Sequence, residues 1–194
     1  MSIDAFFQDI DARWPDVDAI KIPLRLIGAT ALMLQADYER GTKDSDVFET
    51  EAITAIKPRL LALAGAGTPL HQKHRMYLDV VGNGVPFLPG ASVWHPQVEL
   101  NRSLRKFEIA VLDVVDVVVT KLKRFHSNDQ SDVQAMIERG LVPHDRLLSR
   151  FLSAVDHFQY DARAEEELPR YVRNLNRVER DMLGVPETAI ELPE

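Results

Sequence analysis

The sequence predicts an α+β fold: a small mixed sheet flanked by helices, followed by a helical C-terminal half. Short β-branched and aromatic runs alternate with helical patterns up to about residue 112, and helical patterns alone follow. The chain has 194 residues, 45% of them hydrophobic, enough for one domain or a compact core with a helical annex. The expected division is a core over 1–112, a helical region over 113–185 and a tail over 186–194.

Each element has its own signal. Ile3, Phe6, Phe7 and Ile10 recur at helical spacing, so residues 3–13 predict an amphipathic helix that Pro15 ends. Residues 20–27 read as a strand running into Gly28, and 29–36 as a helix of good formers. Asp44 to Phe48 reads as a strand, and Thr50 as the cap of a helix over 51–64 with Pro58 in its middle. Gly65 and Gly67 stop that helix. Residues 76–81 form a strand, 82–96 a Gly- and Pro-rich loop or irregular hairpin, and 107–111 another strand. Asp113 caps a helix through Phe125, too short to span a bilayer, and 131–139 form a helix closed by Gly140. Helices near 145–158 and 165–183 complete the pattern.

Composition excludes several chemistries. With no cysteine there is no thiol nucleophile, disulfide or Cys-ligated zinc. No apolar run approaches the ~18 residues of a membrane span, and the chain starts on an acid rather than a basic leader, so a cytoplasmic location is expected. The net charge of −7 argues against a broad nucleic-acid-binding face. Local basic patches remain at Lys121, Lys123 and Arg124 and at residues 102–106.

The chemistry concentrates between residues 26 and 48. Gly28-Ala29-Thr30 forms a small-residue turn opening an apolar helix, able to receive phosphates on backbone N–H groups. One loop later Asp44 and Asp46, two apart on a strand, point to one side and offer oxygen donors to a hard cation such as Mg²⁺. Asp79 lies in an otherwise apolar strand, where an unpaired buried carboxylate is costly. It either shares a metal with Asp44 and Asp46, points into solvent, or pairs with Arg75.

Gly28-Ala29-Thr30-Ala31-Leu32 followed by Arg40, Thr42, Asp44 and Asp46 resembles the signature of the DNA polymerase beta-like nucleotidyltransferase superfamily. More narrowly it resembles the branch of the AbiE-type toxin nucleotidyltransferases. A second motif of that branch is matched by Lys121-Leu122-Lys123-Arg124 with Asp129 and Asp132 downstream. The chain departs from the pattern at Ala29, where a glycine is common, and at Ser45, where a hydrophobic residue is usual. The resemblance implies a triphosphate held by Gly28, Ala29 and Thr30, with Mg²⁺ on Asp44, Asp46 and Asp79. Asp79 would also help to deprotonate the attacking hydroxyl, and Lys121 and Arg124 would contact phosphates. For that last pair the alternative is an ion pair with Asp129 or Asp132 tying two helices together; both can hold.

The reaction so implied moves NMP from an NTP such as ATP to an acceptor hydroxyl on a tRNA end, a protein or a small molecule, with an antitoxin as a partner. The alternative is an inactive member that binds or regulates, motivated by Ala29 and Ser45. A nucleotide-sugar glycosyltransferase reading of Asp44-Ser45-Asp46 lacks the preceding βαβ units. Elsewhere, His71 and His74 have helical spacing but no third ligand nearby, and solvent exposure is expected for both. His95 and His126 read as structural, Trp94 as a core anchor or a base-stacking ring, and Ser103 and Ser127 lack a paired base.

Overall fold

The structure is a computed structural model that describes residues 2–15, 20–36, 38–82 and 87–192. In chain order the elements are α1 (Ile3–Arg13), β1 (Ile22–Ile27), α2 (Gly28–Ala36), β2 (Asp44–Phe48), α3 (Glu51–Ala64), α4 (Pro69–His74), β3 (Tyr77–Val81), β4 (Trp94–Pro96), α5 (Val98–Ser103) and β5 (Phe107–Leu112). Then come α6 (Val114–Lys121), α7 (Ser127–Glu138), α8 (His144–Phe158) and α9 (Ala164–Val178), which ends in a π-helical turn over Glu179–Leu183. The fold is the α+β class the sequence predicts: a mixed five-stranded sheet with flanking helices and a helical C-terminal half.

The chain forms two compact units, Met1–Val85 with Trp94–Leu112, and Pro86–Val93 with Asp113–Glu194. In the first, the strand order is β3-β2-β1-β5-β4. β1 runs antiparallel to β2 and parallel to β5, β2 runs parallel to β3, and β4 antiparallel to β5. Alternation sorts the side chains to two faces. Ser45 and Val47, Leu78 and Val80, Leu24 and Leu26 are buried on one face, whereas on the other Asp44 and Asp79 are exposed and Asp46 is half-buried. Phe6, Phe7 and Ile10 of α1, Leu32 of α2 and Ile53 and Leu60 of α3 fill the core.

Local chemistry explains where these elements start and stop. The Ser2 and Thr50 side chains accept the Ala5 and Ile53 N–H groups at the starts of α1 and α3. α3 continues through Pro58, whose exposed position leaves water access to the carbonyl that loses its partner. The buried Asp11 carboxylate accepts the N–H groups of Arg105, Lys106 and Phe107 at 2.7–3.1 Å, fixing α1 to the start of β5.

Several elements differ from the sequence reading. β1 begins at Ile22, leaving Ile20 81% exposed. α4 forms just beyond Gly67, because the Thr68 hydroxyl caps it and Pro69 occupies its first turn. The predicted loop over 82–96 contains β4 at its end, and the unpredicted α5 follows. α6 stops at Lys121 rather than Phe125, which takes a left-handed φ of 51°. α7 starts at Ser127, earlier than residue 131, since the Asp129 carboxylate accepts the His126 N–H at 3.2 Å.

In the second unit, Phe87 packs against Phe151, Phe158 and Tyr171 with ring centroids 4.9–5.8 Å apart. The fully buried Asp116 is bound bidentately by Arg150 at 2.6 and 2.7 Å and accepts the Val93 N–H. Among the described residues no helix is long and apolar enough to cross a membrane.

Candidate active site

The site is built on β1, β2 and β3 of the first unit. Gly28 ends β1 at φ +67°, a left-handed conformation that glycine adopts without strain. A Cβ built there would lie 2.6 Å from Asp46 Oδ2, so the turn and the carboxylate are in direct apposition. Ala29 has no such φ: the demands fall on Gly28, and the family-pattern departure one residue on sits in ordinary helical backbone. α2 begins at this turn, and its first N–H groups lack intrahelical acceptors.

Asp44 and Asp46 share a face of β2, and Asp46 is the register partner of Asp79 in the adjacent parallel strand. The same register sets Asp44 beside Tyr77. The Thr42 hydroxyl donates to Asp44 Oδ1 at 2.8 Å and orients it, and Asp79 Oδ1 accepts the Val80 N–H at 2.9 Å. Tyr77 registers the accumulated charge. Its phenol is pushed above the usual tyrosine value by desolvation, then by Asp44, Asp79 and Asp46 in that order.

Ser45 points away from the carboxylates. Its side chain is fully buried on the opposite face, and its hydroxyl has no hydrogen-bond partner. Thr30 is likewise buried, its hydroxyl 3.4 Å from the Asp44 carbonyl, so its side chain joins α2 to β2 while its N–H belongs to the turn. Asp79 is exposed on the open face, not embedded in apolar surroundings as its strand suggested, and it makes no ion pair with Arg75, which forms the left-handed C-cap of α4.

The donor set is all carboxylate oxygen, which suits a hard cation such as Mg²⁺ by ligand chemistry. Among the described residues, as placed, no three His, Asp or Glu side chains are grouped closely enough to hold a metal ion. Asp46 and Asp79 stand opposite one another in register on adjacent parallel strands.

Residues 2–183 match the family described as a nucleotidyltransferase of unknown function (DUF6036). The chain belongs to this nucleotidyltransferase family. No curated protein and no solved structure matches it.

The segment Lys121 to Arg124, singled out in the sequence, lies in the helical unit. Lys121 is 8% exposed and reaches Asp129 at 3.2 Å and Asp132 at 2.7 Å, which ties α6 to α7. Arg124, just past α6, is exposed. His74 corrects an expectation: it is buried and bonds Asp9 at 2.6 Å, and Lys73 meets the same carboxylate at 2.5 Å, holding Asp9 below its usual range. His71 Nδ1 accepts the Gly67 N–H at 2.9 Å, and its ring packs edgewise on Tyr77 at 4.9 Å. His126 caps α7 and His95 is exposed on β4. The Ser103 hydroxyl donates to the Leu100 carbonyl, and Ser127 is exposed in the first turn of α7.

Three further residues, Tyr77, Thr42 and Trp94, gain their place from the structure. Of these only Tyr77 goes unread as a site residue in the sequence, since it gains its meaning from strand register, which a single sequence does not print; Thr42 and Trp94 are named there, and the structure adds the Thr42 hydrogen bond to Asp44. Trp94 is not a core anchor: it is half-buried, with Arg25 over its ring at 5.2 Å and the Phe48 ring at 5.9 Å.

Proposed function

We propose that this chain is a metal-dependent nucleotidyltransferase that moves NMP from an NTP to an acceptor hydroxyl. The observation that carries the reading is the contact between the Gly28 turn and Asp46: a backbone suited to phosphates abuts a carboxylate face suited to Mg²⁺. The motif sequence supports a place near the AbiE-type branch, with an antitoxin as a partner.

The N–H groups of Gly28, Ala29 and Thr30 hold the triphosphate, favoured by the positive end of the α2 dipole. Asp44 (oriented by Thr42), Asp46 and Asp79 would hold Mg²⁺. Bound there, the ion would supply positive charge to the phosphate oxygens. The acceptor oxygen forms a bond to the α-phosphorus as the α–β bridging P–O bond breaks. Pyrophosphate leaves, and the hydroxyl proton passes to the Asp79 carboxylate. The acceptor is a tRNA end, a protein side chain or a small molecule.

Incubation with each α-labelled NTP and Mg²⁺ tests this. Wild type is expected to transfer label and release pyrophosphate, and Asp44→Ala to lose at least ~100-fold of that rate, the scale of removing one electrostatic contributor. Failure of wild type to bind any NTP overturns the reading.

A further inference from the structure

The carboxylate face of the sheet carries a second feature that the phosphate chemistry does not use. Phe48 follows Asp46 by two residues on β2, so its ring stands on the same face, on the order of 7 Å further along the strand. Trp94 extends from β4 to within 5.9 Å of that ring, centroid to centroid, at an interplanar angle of 46°. The Arg25 guanidinium lies 5.2 Å from the indole centroid. Phe48 and Trp94 are half-buried and Arg25 is exposed. A fixed aromatic surface, with a cation fixing its ring, therefore adjoins the acidic corner.

We infer that Trp94, set by Arg25 and Phe48, is the stacking platform for the nucleobase of the donor nucleotide. The inference rests on the nucleotidyl-transfer reading and extends it to substrate recognition. Strand order decides donor over acceptor. Asp79 and the edge strand β3 lie on one side of Asp46, and β1, β5 and β4 on the other. With the acceptor hydroxyl at Asp79, the donor nucleoside extends toward Phe48 and Trp94. Arg25 holds the indole by a cation–π contact, and the half-buried ring keeps exposed surface on which a base can stack. Stacking accepts any base but rewards ring area, so purine nucleotides bind more tightly than pyrimidine nucleotides.

The two tryptophans make this readable. Trp14 is 4% exposed and packs edgewise on Phe107, so a nucleotide-dependent change in fluorescence reports Trp94. Wild type, Trp94→Phe, Trp94→Ala and Arg25→Gln are titrated in Mg²⁺ with ATP, CTP and inorganic tripolyphosphate, following fluorescence and calorimetric affinity. ATP is expected to quench wild type more than CTP does, tripolyphosphate to bind without quenching, and Trp94→Phe to lose the quench. Trp94→Ala should weaken ATP by roughly 10-fold or more and leave tripolyphosphate affinity unchanged. Arg25→Gln, at an exposed position, should weaken ATP in the same selective way. If ATP binds wild type without moving Trp94 fluorescence, and Trp94→Ala and Arg25→Gln bind ATP as wild type does, the platform is wrong and nucleotidyl transfer stands. If neither ATP nor tripolyphosphate binds wild type, the underlying reading fails and takes the platform with it.

Discussion

Gly28 carries two independent demands: a φ of +67°, and a 2.6 Å approach that a Cβ would make to Asp46 Oδ2. Gly28→Ala therefore strains the backbone, at about 1 kcal/mol, and pushes the Asp46 carboxylate off its position. Activity is expected to fall far more than stability. A rate loss of roughly 100-fold alongside a small shift in denaturant midpoint is the expected pair of results, since a misplacement of about 1 Å at a reacting centre has that cost. A variant active at the wild-type rate would detach the turn from the chemistry. Ser45 makes the opposite case. Its buried hydroxyl lacks a partner and faces the core rather than the carboxylates. Ser45→Ala removes an unsatisfied polar group and should stabilise the protein by about 1 kcal/mol, seen as a higher urea midpoint with catalysis unchanged. Both residues sharpen the choice between an active and an inactive member. The positions at which the chain departs from the AbiE-type pattern it resembles, Ala29 and Ser45, are not the ones that meet the site's geometric demands.

At the level of elements, buried charge ties segments that periodicity describes separately. Lys121 joins α6 to α7 through Asp129 and Asp132, all three buried. Lys121→Met removes the buried cation that Asp129 and Asp132 share and should cost about 3–5 kcal/mol in stability; an unchanged urea midpoint would mean the triad holds nothing. Glu179, in the π-helical turn, gives a pH signature. Burial alone would raise its carboxyl, but hydrogen bonds from His144 and from the Thr188 N–H and hydroxyl bring it below 4.5. A depressed folded-state value contributes stability that is present above about 4.5 and is lost as pH falls through the folded value. Between pH 7 and 3 wild type should lose stability more steeply than Glu179→Gln in urea titrations. Elements with strong periodicity or caps were legible from sequence: α1, α3, the β2 and β3 strands, the helical C-terminal half. The short α4, β4 and α5 were not, because each rests on a partner distant in sequence or on a few residues of turn chemistry. The acidic pair and Gly28 were legible by type and spacing. That Asp79 faces Asp46, that Tyr77 joins them and that His74 is buried against Asp9 follow from register and tertiary packing.

Across the whole molecule the two compact units are discontinuous in sequence. The chain leaves the first after Val85, returns at Trp94 and leaves again after Leu112. The excursion delivers Phe87 into the aromatic cluster of Phe151, Phe158 and Tyr171, and Val93 to the Asp116 carboxylate that Arg150 holds. A segment far upstream thus supplies one of the largest fully buried side chains of the helical unit. Phe87→Ala opens a cavity among those rings, and the loss is expected at about 3–5 kcal/mol. The same argument bears on dissection. A fragment of residues 113–194 contains every helix from α6 to α9 yet lacks Phe87 and the Val93 N–H. It should show a helical far-UV circular dichroism spectrum with weak near-UV signal, the mark of secondary structure without fixed packing. The full-length Phe87→Ala variant should lie between that fragment and wild type in near-UV intensity. A fragment with native-like near-UV signal and a sharp unfolding transition would show that the helical unit folds without its Pro86–Val93 segment.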